Sequence, residues 1–559
     1  MEFRVLSELC ERLSSTTKRN VKVEMAAEFL KRLNSQEVEP AVSMILGRPF
    51  PRWDQRTLDI SWATLSNIIK RLTDVDWRTF SKVFRETGDI GSTIKTIFER
   101  SKVRRQKVLF EKSLTILEVR RVFEAIAEAS GQGSRERKDR LVESLLGRAS
   151  PVEAKYLVKI MIGEMRTGFQ EGLMELAVSR AFSTPLELVQ KASMLTGDVG
   201  EVAYLLKEHG EAALSKVGLR LMRPLKPMLA QMAESPREAI EEHGGETAFE
   251  YKLDGARIQI HKVGEKVKVF SRRLTDVTDS LPEIVQAVRE GVKAHEAVLE
   301  GEVIAVGRDG HPLPFQHLMR RFRRVYEIEK MLREIPVKLY LFDLLYVDGE
   351  SLIDEPYLER RNRLSRVVEG IPLTEQLVTG NPAEAERFFR KALEEGHEGL
   401  MAKRLDSPYK PGVRGKHWLK IKEPLEPLDL VITAAEYGYG RRHGWLSDYY
   451  LAARDEETGE FLVVGKTFKG LTDQEIIEMT ERLKRLAIME EGNRVVVKPE
   501  IVVEVAYNEI QKSPKYKCGM ALRFARITRI RDDKSPEEVD TIQKVRKIYE
   551  KQFEKKARL

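Results

Sequence analysis

The sequence predicts a multidomain protein, with an all-α region followed by an α+β region and then a small β-barrel. Its 559 residues are too many for a single hydrophobic core. Up to about residue 215, apolar residues recur at the three- and four-residue spacing of amphipathic helices, and beyond it short β-rich runs alternate with turns. Proline-bearing linkers, residues 220–227 and 423–427, separate the three regions. We therefore expect domains at 1–216, 217–422 and 423–559.

The first region predicts a bundle of about ten short helices, because glycine and proline clusters interrupt its helical pattern. The interruptions lie at 47–49, 88–91, 131–133 and 150–151. No repeat of fixed period is present, so a solenoid is not expected. Two basic groups, 101–107 and 134–140, would suit the phosphates of a duplex, although charge runs are commonly just solvated helix faces.

The second region mixes short strands with helices, which is the pattern of an α+β domain. Its strand candidates include 267–271, 297–305 and 337–343, and its helix candidates are 281–293, 316–334, 355–369 and 382–395. The third region has five strand candidates and an inserted helix at 472–487, which favours an OB-fold barrel, with a sandwich left open. The strand candidates are 429–437, 448–454, 460–468, 495–506 and 521–531, and a charged helix is predicted at 536–556.

Composition excludes several classes of protein. Cys10 and Cys518 are the only cysteines, so neither a zinc finger nor a disulfide framework is expected. His397 and Glu398 begin an H-E-x-x-H pattern, but Met401 stands at the second histidine. A catalytic metal would therefore be held by carboxylates and phosphates, which predicts Mg²⁺ or Mn²⁺. No apolar run approaches the ~18 residues of a membrane span and no signal-peptide core is present, so a cytoplasmic protein is expected.

The charge content indicates a thermophilic source. Charged residues make up 33% of the chain and asparagine is scarce, a combination typical of thermophiles that rely on ion-pair networks. The net charge of +8 permits a polyanionic partner. Because cations and anions are both abundant, the positions of cation clusters are more informative than their total.

The residues around Lys252 are the first candidates for chemistry. Lys252 ends one predicted strand and Arg257 begins the next, with Gly255 between them and Glu250 two residues before the lysine. A lysine in this position is usually a solvated turn residue. Its interpretation changes because further charged and aromatic clusters follow at predicted strand ends. They comprise Arg272, Glu300 and Glu302 on one strand face, Phe342, Glu398 to Lys403, Arg414, and Lys420 and Lys422 on one strand face.

A last basic element completes the pattern, with Arg523, Arg526, Arg531 and Lys534 in the third region. These elements, in this order, resemble the signature of the covalent nucleotidyltransferases. The whole chain resembles the ATP-dependent DNA ligases, most closely the archaeal replicative type. The resemblance implies a helical DNA-binding domain, an adenylation domain and an OB-fold domain. It also implies the sealing of nicks in duplex DNA, with ATP as AMP donor and Mg²⁺ as metal, in DNA replication, repair and recombination.

The resemblance implies a mechanism as well. Lys252 would attack the α-phosphate of ATP and form a lysine–AMP adduct, AMP would pass to the 5′-phosphate at a nick, and the 3′-hydroxyl would then displace it. A free lysine is protonated at neutral pH. We expect the cations around Lys252, namely Arg257, Lys420, Lys422 and Mg²⁺, to disfavour its ammonium form and to stabilise the phosphoryl oxygens.

By resemblance, the base and the ribose are held by four residues besides Lys252. Glu250 would accept a hydrogen bond from the adenine amino group, and Phe342 would stack on the ring. Arg257 and Glu302 would hold the ribose.

The phosphates and the metal receive the remaining charged residues, again by resemblance. Cations at the nucleotide phosphates would be Arg272, Lys403, Arg414, Lys420 and Lys422. The carboxylates at the metal would be Glu302 and Glu398. The residues that orient pyrophosphate would be Arg523, Arg526, Arg531 and Lys534. Because these last four belong to a separate domain, that domain must move between steps.

Other readings of the same core are weaker. RNA ligases and capping guanylyltransferases share it, but the helical first region argues against both. An NAD-dependent ligase would need a cysteine zinc site, and a non-catalytic DNA clamp would not keep the whole set of charged residues intact. The expected partners are nicked duplex DNA and a sliding clamp, with Gln106 and residues 108–110 as a candidate contact. We expect a monomer, and the use of ADP or NAD in place of ATP stays open.

Overall fold

A computed structural model describes residues 1–101, 103, 113–307, 310–313, 315–322, 334–412, 414–423 and 425–553. The first of the two basic groups, apart from residues 101 and 103, lies outside these ranges, and so does the candidate clamp contact at 106–110. No helix in the described ranges is long and apolar enough to span a membrane.

The first region is helical, and its described residues form twelve α-helices around one core. The helices are Phe3–Ser14 (α1), Arg19–Arg32 (α2), Ser35–Ile45 (α3), Trp62–Thr73 (α4), Trp77–Thr87 (α5), Ile90–Arg100 (α6), Ile116–Glu128 (α7), Ser134–Arg148 (α8), Pro151–Ile162 (α9), Glu171–Ala181 (α10), Leu186–Thr196 (α11) and Val199–His209 (α12). The breakers act as expected: Gly88 ends α5 in a left-handed conformation, and Pro151 is the first residue of α9.

The second region contains two five-stranded sheets. Its strands are Leu229–Met232 (β1), Thr247–Lys252 (β2), Ala256–Val263 (β3), Lys266–Ser271 (β4), Glu296–Ala305 (β5), Val337–Val347 (β6), Glu350–Ser351 (β7), Gln376–Thr379 (β8), Gly399–Arg404 (β9) and Arg414–Lys422 (β10). Its helices are Pro236–His243 (α13), Pro282–Gly291 (α14), Phe315–Phe322 (α15), Tyr357–Val367 (α16) and Pro382–Glu394 (α17). The strand orders are β1-β10-β9-β2-β8 and β4-β3-β5-β6-β7.

Each sheet has one apolar face covered by helices. In the first sheet, Phe249, Leu400 and Ile421 share a core with residues of α13 and α17, and in the second sheet Ile260 packs with α14. The opposite faces carry polar side chains and face each other. Between them lies a smaller, separate core that includes the aromatic residues Phe342 and Trp418. Strand alternation thereby places charged residues in the cleft between two sheets.

The third region is a strand-rich barrel. Its strands are Leu428–Tyr437 (β11), Leu446–Arg454 (β12), Phe461–Thr467 (β13), Ala487–Glu491 (β14), Arg494–Val497 (β15), Val502–Ala506 (β16), Glu509–Lys512 (β17), Met520–Arg523 (β18) and Arg526–Ile530 (β19), with helices Asp473–Arg485 (α18) and Ile542–Phe553 (α19). Strand β11 pairs with β12 along one edge and with β15 and β16 along the other. The end of β13 lies beside the start of β19, where the Thr467 hydroxyl donates to the Ala525 carbonyl at 2.6 Å and the Ile527 amide donates to the Lys469 carbonyl at 3.0 Å. The predicted strand-rich third region with an inserted helix is confirmed.

Several element boundaries in this barrel differ from the predicted ones. The candidate 495–506 is two strands separated at Pro499, and 521–531 is interrupted at Phe524, whose φ is +55°. Strand β14 was not expected, because its alanine, methionine and glutamates favour helix by propensity. The last helix begins at Ile542 rather than at 536, since the Asp540 amide is tied to the Asp429 carbonyl at 2.8 Å.

The helical region contacts both other regions through polar groups. The Gln55 amide donates to the Leu274 carbonyl at 2.9 Å and accepts from the Asp276 amide at 3.0 Å. His443 Nε2 lies 2.9 Å from the Arg85 carbonyl, and the Phe84 ring lies 5.8 Å from that of Tyr439. These are small contacts of the kind that permit domains to move.

We expect Arg360→Met to lower the free energy of unfolding by about 3–5 kcal/mol, since it leaves the Asp343 charge buried and unpaired. Arg360 donates to Asp343 from Nε and Nη2 at 2.8 and 3.0 Å, and both side chains are fully buried. The matched control is Arg363→Met on the same helix, whose partly exposed pair with Glu350 at 2.7 Å should contribute far less to stability. Denaturant unfolding of both variants measures the two effects, and equal effects would contradict the expectation.

Candidate active site

The register of three strands aligns the candidate nucleophile with its neighbours. Strand β9 pairs antiparallel with β2 and with β10, so that Lys252 lies opposite Gly399, which in turn lies opposite Lys422. Two residues along, Glu250 is opposite Met401, and Met401 is opposite Lys420. Residues that lie opposite one another in a sheet share a face. Lys420 and Lys422 therefore share a sheet face with Lys252.

Gly399 makes this register possible. Its φ is +139°, and a Cβ at this position would lie 2.1 Å from the Ile421 carbonyl oxygen. Directly before it, the Glu398 amide donates to the Lys252 carbonyl at 2.9 Å. The Glu398 carboxylate forms ion pairs with Lys252 and, at 2.6 Å, with Lys422. Gly399 is thus required because two backbone segments approach each other closely at this position.

The second sheet brings Arg257 and two glutamates to the same cleft. Arg257 is opposite Glu302 across β3 and β5, but its guanidinium pairs with the fully buried Glu300 at 2.5 Å. It also donates to the Met228 carbonyl at 2.6 Å. By resemblance, Arg257 and Glu302 are expected to share a role at the ribose, and no role is predicted for Glu300. Glu300 holds the arginine in place. Its position two residues before Glu302, on the same strand face, was the one feature of the sequence that could have indicated this role.

Carboxylates dominate the electrostatics around Lys252. Burial alone would lower its pKa, but Glu398, Glu302 and Asp254 outweigh burial and raise it. Glu302 shows the complementary effect: burial raises its pKa to about 7, against the lowering by Lys252 and Arg257. The expectation that neighbouring cations disfavour the ammonium form of Lys252 is therefore wrong for the protein alone. The ion pair with Glu398 stabilises that form.

The carboxylates suit a hard divalent cation. Glu302 and Glu398 provide oxygen ligands, which Mg²⁺ and Mn²⁺ prefer. Burial is the main cause of the raised pKa of Glu302, and Glu398 and Asp254 add to it, so a bound cation would favour its carboxylate form. Within the described ranges, no group of three or more histidine, cysteine, aspartate or glutamate side chains is arranged to hold a metal. Two carboxylates fit Mg²⁺, because this ion keeps several waters and binds nucleotide phosphates.

Cations accumulate at the end of the cleft near Lys420. Burial lowers the pKa of Lys420, and so do Lys252, Lys422 and Arg414. Burial and then Arg257 lower the pKa of Arg272. Like charges that depress one another's pKa values create a positive potential, which suits phosphate.

The opposite end of the cleft is closed by a buried network around Glu250. Lys403 Nζ pairs with Glu250 at 2.8 Å and lies 4.4 Å from the centre of the Phe342 ring and 4.5 Å from that of Trp418. Tyr357 donates from its hydroxyl to the Glu250 carboxylate. Burial lowers the pKa of Lys403, although Glu250 opposes this effect. A charged lysine enclosed by aromatic rings and one carboxylate makes a rigid wall.

The basic residues of the third region are engaged within their own barrel. Arg531 pairs with Asp429 at 3.2 Å and Lys534 with the same carboxylate at 2.6 Å, while Arg526 is exposed. Arg523 pairs with Glu509 at 3.3 Å, and its guanidinium lies 5.0 Å from the centre of the Phe315 ring in the second region. Their proposed contact with pyrophosphate stays a prediction.

Three family models match the chain: "DNA ligase N terminus" at residues 2–179, "ATP dependent DNA ligase domain" at 227–422 and "ATP dependent DNA ligase C terminal region" at 442–534. The chain is 50% identical to "DNA ligase 1" of Korarchaeum cryptofilum, over 99% of each chain. It is 47% identical to the "DNA ligase" of Thermococcus onnurineus, over 100% of this chain and 99% of the other. The chain belongs to the ATP-dependent DNA ligases.

A solved structure named "Pmar-Lig_PreS3" has the same fold as this ligase. It matches with a TM-score of 0.56 and 16% sequence identity, covering 94% of this chain and 99% of the other. The helical, adenylation and strand-rich regions therefore occur together in one known architecture.

Sequence reasoning missed the partners of Glu250. Tyr357 begins α16, and Thr374 and Gln376 lie just before and within β8, where the Thr374 hydroxyl and the Gln376 amide each donate to Glu250 at 3.0 Å. Thr374 and Gln376 reach Glu250 because β8 pairs with β2, with Gln376 opposite Glu250, whereas Tyr357 reaches it from the start of α16. No motif marks these residues, so only the strand pairing reveals them.

We expect Gly399→Ala to lower the melting temperature of this ligase and its nick-sealing rate together. The positive φ and the 2.1 Å approach to the Ile421 carbonyl should impose ~1–3 kcal/mol of strain and displace Glu398 from Lys252. The control is Gly415→Ala in β10, whose Cβ would meet nothing closer than 3.8 Å. Thermal unfolding and ligation of a nicked duplex measure the two effects. Identical behaviour of the two variants would mean that the register does not depend on Gly399.

Proposed function

We propose that this chain seals nicks in duplex DNA by three successive transfers through Lys252. The position of Lys252 carries the proposal: it contacts Glu398, shares a sheet face with Lys420 and Lys422, and faces the sheet of Arg257. A nucleophilic amine among carboxylates and cations is the arrangement that phosphoryl transfer needs, since catalysis there is mainly positioning and charge stabilisation.

In the first transfer, the Lys252 ammonium loses a proton and its Nζ attacks the α-phosphorus of ATP. A P–N bond forms, the bond to the bridging oxygen breaks, and pyrophosphate leaves. In the second, a 5′-phosphate oxygen at the nick attacks the same phosphorus, which frees Lys252 and forms a phosphoanhydride with AMP. In the third, the 3′-hydroxyl attacks the 5′-phosphorus, loses its proton and displaces AMP. Each step replaces one bond to phosphorus with another.

We place the base of the nucleotide at one end of the cleft and its phosphates at the other. Phe342 would stack on the adenine, with Glu250 at the base end, and Arg257 with Glu302 would hold the ribose. We place Lys403 at the base end, and not at the phosphates as the resemblance implies, because it pairs with Glu250 at 2.8 Å. The phosphates would lie among Arg272, Arg414, Lys420 and Lys422, where the potential is most positive. We assign Glu302 and Glu398 as ligands of Mg²⁺, which when bound supplies positive charge at the phosphoryl oxygens.

The outer regions would handle DNA and pyrophosphate. We propose that the helical region contacts the duplex backbone, partly through the basic group at the start of α8, and that Arg523, Arg526, Arg531 and Lys534 close over the pyrophosphate of the first step. A monomer that binds a sliding clamp completes the proposal, with domain bounds at 1–216, 217–422 and 423–559.

The nucleophile is tested with ATP labelled at the α-phosphate. Wild-type protein with Mg²⁺ should acquire label that is stable to base and released by acid, as a phosphoramidate is. Lys252→Ala should acquire none, because the proposed adduct forms on the Nζ of Lys252, while the control Lys266→Ala, an exposed lysine of β4, should label like wild type. Acid-released label on Lys252→Ala would assign the nucleophile elsewhere.

The third-region residues are tested by separating the first step from the last. Arg526→Ala should slow self-adenylation by ~10²-fold, as expected for the loss of one charge-stabilising donor, yet join a nick that is already adenylated within about threefold of the wild-type rate. The control is Arg485→Ala, an exposed arginine at the end of α18 in the same region. Equal slowing of both steps would remove pyrophosphate orientation from the proposal.

A further inference from the structure

We propose that Gln376 recognises the adenine ring by accepting a hydrogen bond from its 6-amino group, with Glu250 holding the glutamine in position. The proposal rests on the proposed function, since it concerns the nucleotide that Lys252 would attack. It refines the direct role that resemblance gives to Glu250 and adds a specificity-determining residue to the site.

The first observation is that Glu250 has no acceptor position to spare. A carboxylate offers about four lone-pair sites. One oxygen of Glu250 accepts from the Tyr357 hydroxyl and from Gln376 Nε2 at 3.0 Å, and the other accepts from the Thr374 hydroxyl at 3.0 Å and from Lys403 Nζ at 2.8 Å. Because the side chain is also buried, adenine could bond to it only by displacing one of these donors.

The second observation is that the orientation of the Gln376 amide is fixed. Its Nε2 donates to Glu250 at 3.0 Å and to the Tyr357 hydroxyl oxygen at 2.9 Å, which uses both hydrogens. The tyrosine hydrogen is directed at Glu250, so the flipped amide would place its oxygen against two acceptors. The network therefore holds the Gln376 oxygen on the side of the amide away from Glu250.

The third observation is the placement of that oxygen. Gln376 is opposite Glu250 in the β2–β8 pair, on the sheet face that carries Lys252, and it is only half-buried. Within the described ranges, its Oε1 accepts no hydrogen bond. A fixed acceptor at the base end selects a ring that donates at this edge. Adenine donates from its 6-amino group, whereas guanine and hypoxanthine carry an acceptor oxygen there and would be repelled.

The test compares self-adenylation by ATP and by purine riboside triphosphate, which is ATP without the 6-amino group. For the wild-type full-length chain, the KM for adduct formation should be about 10-fold lower with ATP than with the analogue. A factor of about 10 corresponds to the upper end of the net free energy that one hydrogen bond contributes. In Gln376→Met, of nearly the same shape, the KM for ATP should rise until the ratio is about one. The KM for the analogue and the kcat for both nucleotides should stay as in wild type. A variant that only loosened the packing of the site would instead raise the KM for both nucleotides.

Two further variants complete the design. Gln376→Ala removes the amide by shortening the side chain. It repeats the test if the methionine variant does not fold. Gln286→Leu, a glutamine change on the exposed face of α14, should keep the wild-type ratio. A wild-type ratio in Gln376→Met or Gln376→Ala overturns the assignment of Gln376 alone, because adduct formation still supports Lys252. Absence of any adduct in wild type with ATP overturns the proposed function and this inference with it.

Discussion

The antiparallel register of β2, β9 and β10 is the constraint on which the rest of the site depends. It aligns Lys252 with Gly399 and Lys422, and it leaves Glu398 one residue outside β9, bonded through its amide to the Lys252 carbonyl. A slip of one residue in either pairing would turn every second side chain to the helix-covered face. Gly399 enforces the register, because only glycine tolerates both its φ and the approach of the Ile421 carbonyl.

The two ends of the cleft differ in how their charges are compensated. At the base end, Glu250 and Lys403 are buried together and hydrogen-bonded, as burial of charge requires. At the phosphate end, in the part of the chain that the structure describes, Arg272, Arg414 and Lys420 form no ion pair within 4 Å. The base end is thus rigid before the nucleotide arrives, and the phosphate end keeps cations available for anions.

The sequence predicted the regular parts of the fold and the charged residues of the cleft, because both follow from residue type and spacing. It could not predict the network around Glu250, since Gln376 reaches it through the pairing of β8 with β2 and Tyr357 reaches it from α16, and both are more than a hundred residues away in sequence. The direction of the Lys252 pKa shift was also out of reach. It depends on whether the carboxylates or the cations are nearer, and the contact with Glu398 decides this in favour of the carboxylates.

The motion that we propose for the third region is compatible with how its basic residues are held. Arg531 and Lys534 share Asp429, and Arg523 pairs with Glu509; these ion pairs are partly exposed, and such pairs contribute little to stability. The contacts of this region with its neighbours are equally modest: the Arg523 guanidinium near the Phe315 ring, and His443 at the Arg85 carbonyl. A triphosphate offers stronger, charge-assisted partners than those carboxylates. Binding of the nucleotide can therefore release the arginines and draw the barrel toward the cleft without unfolding either region.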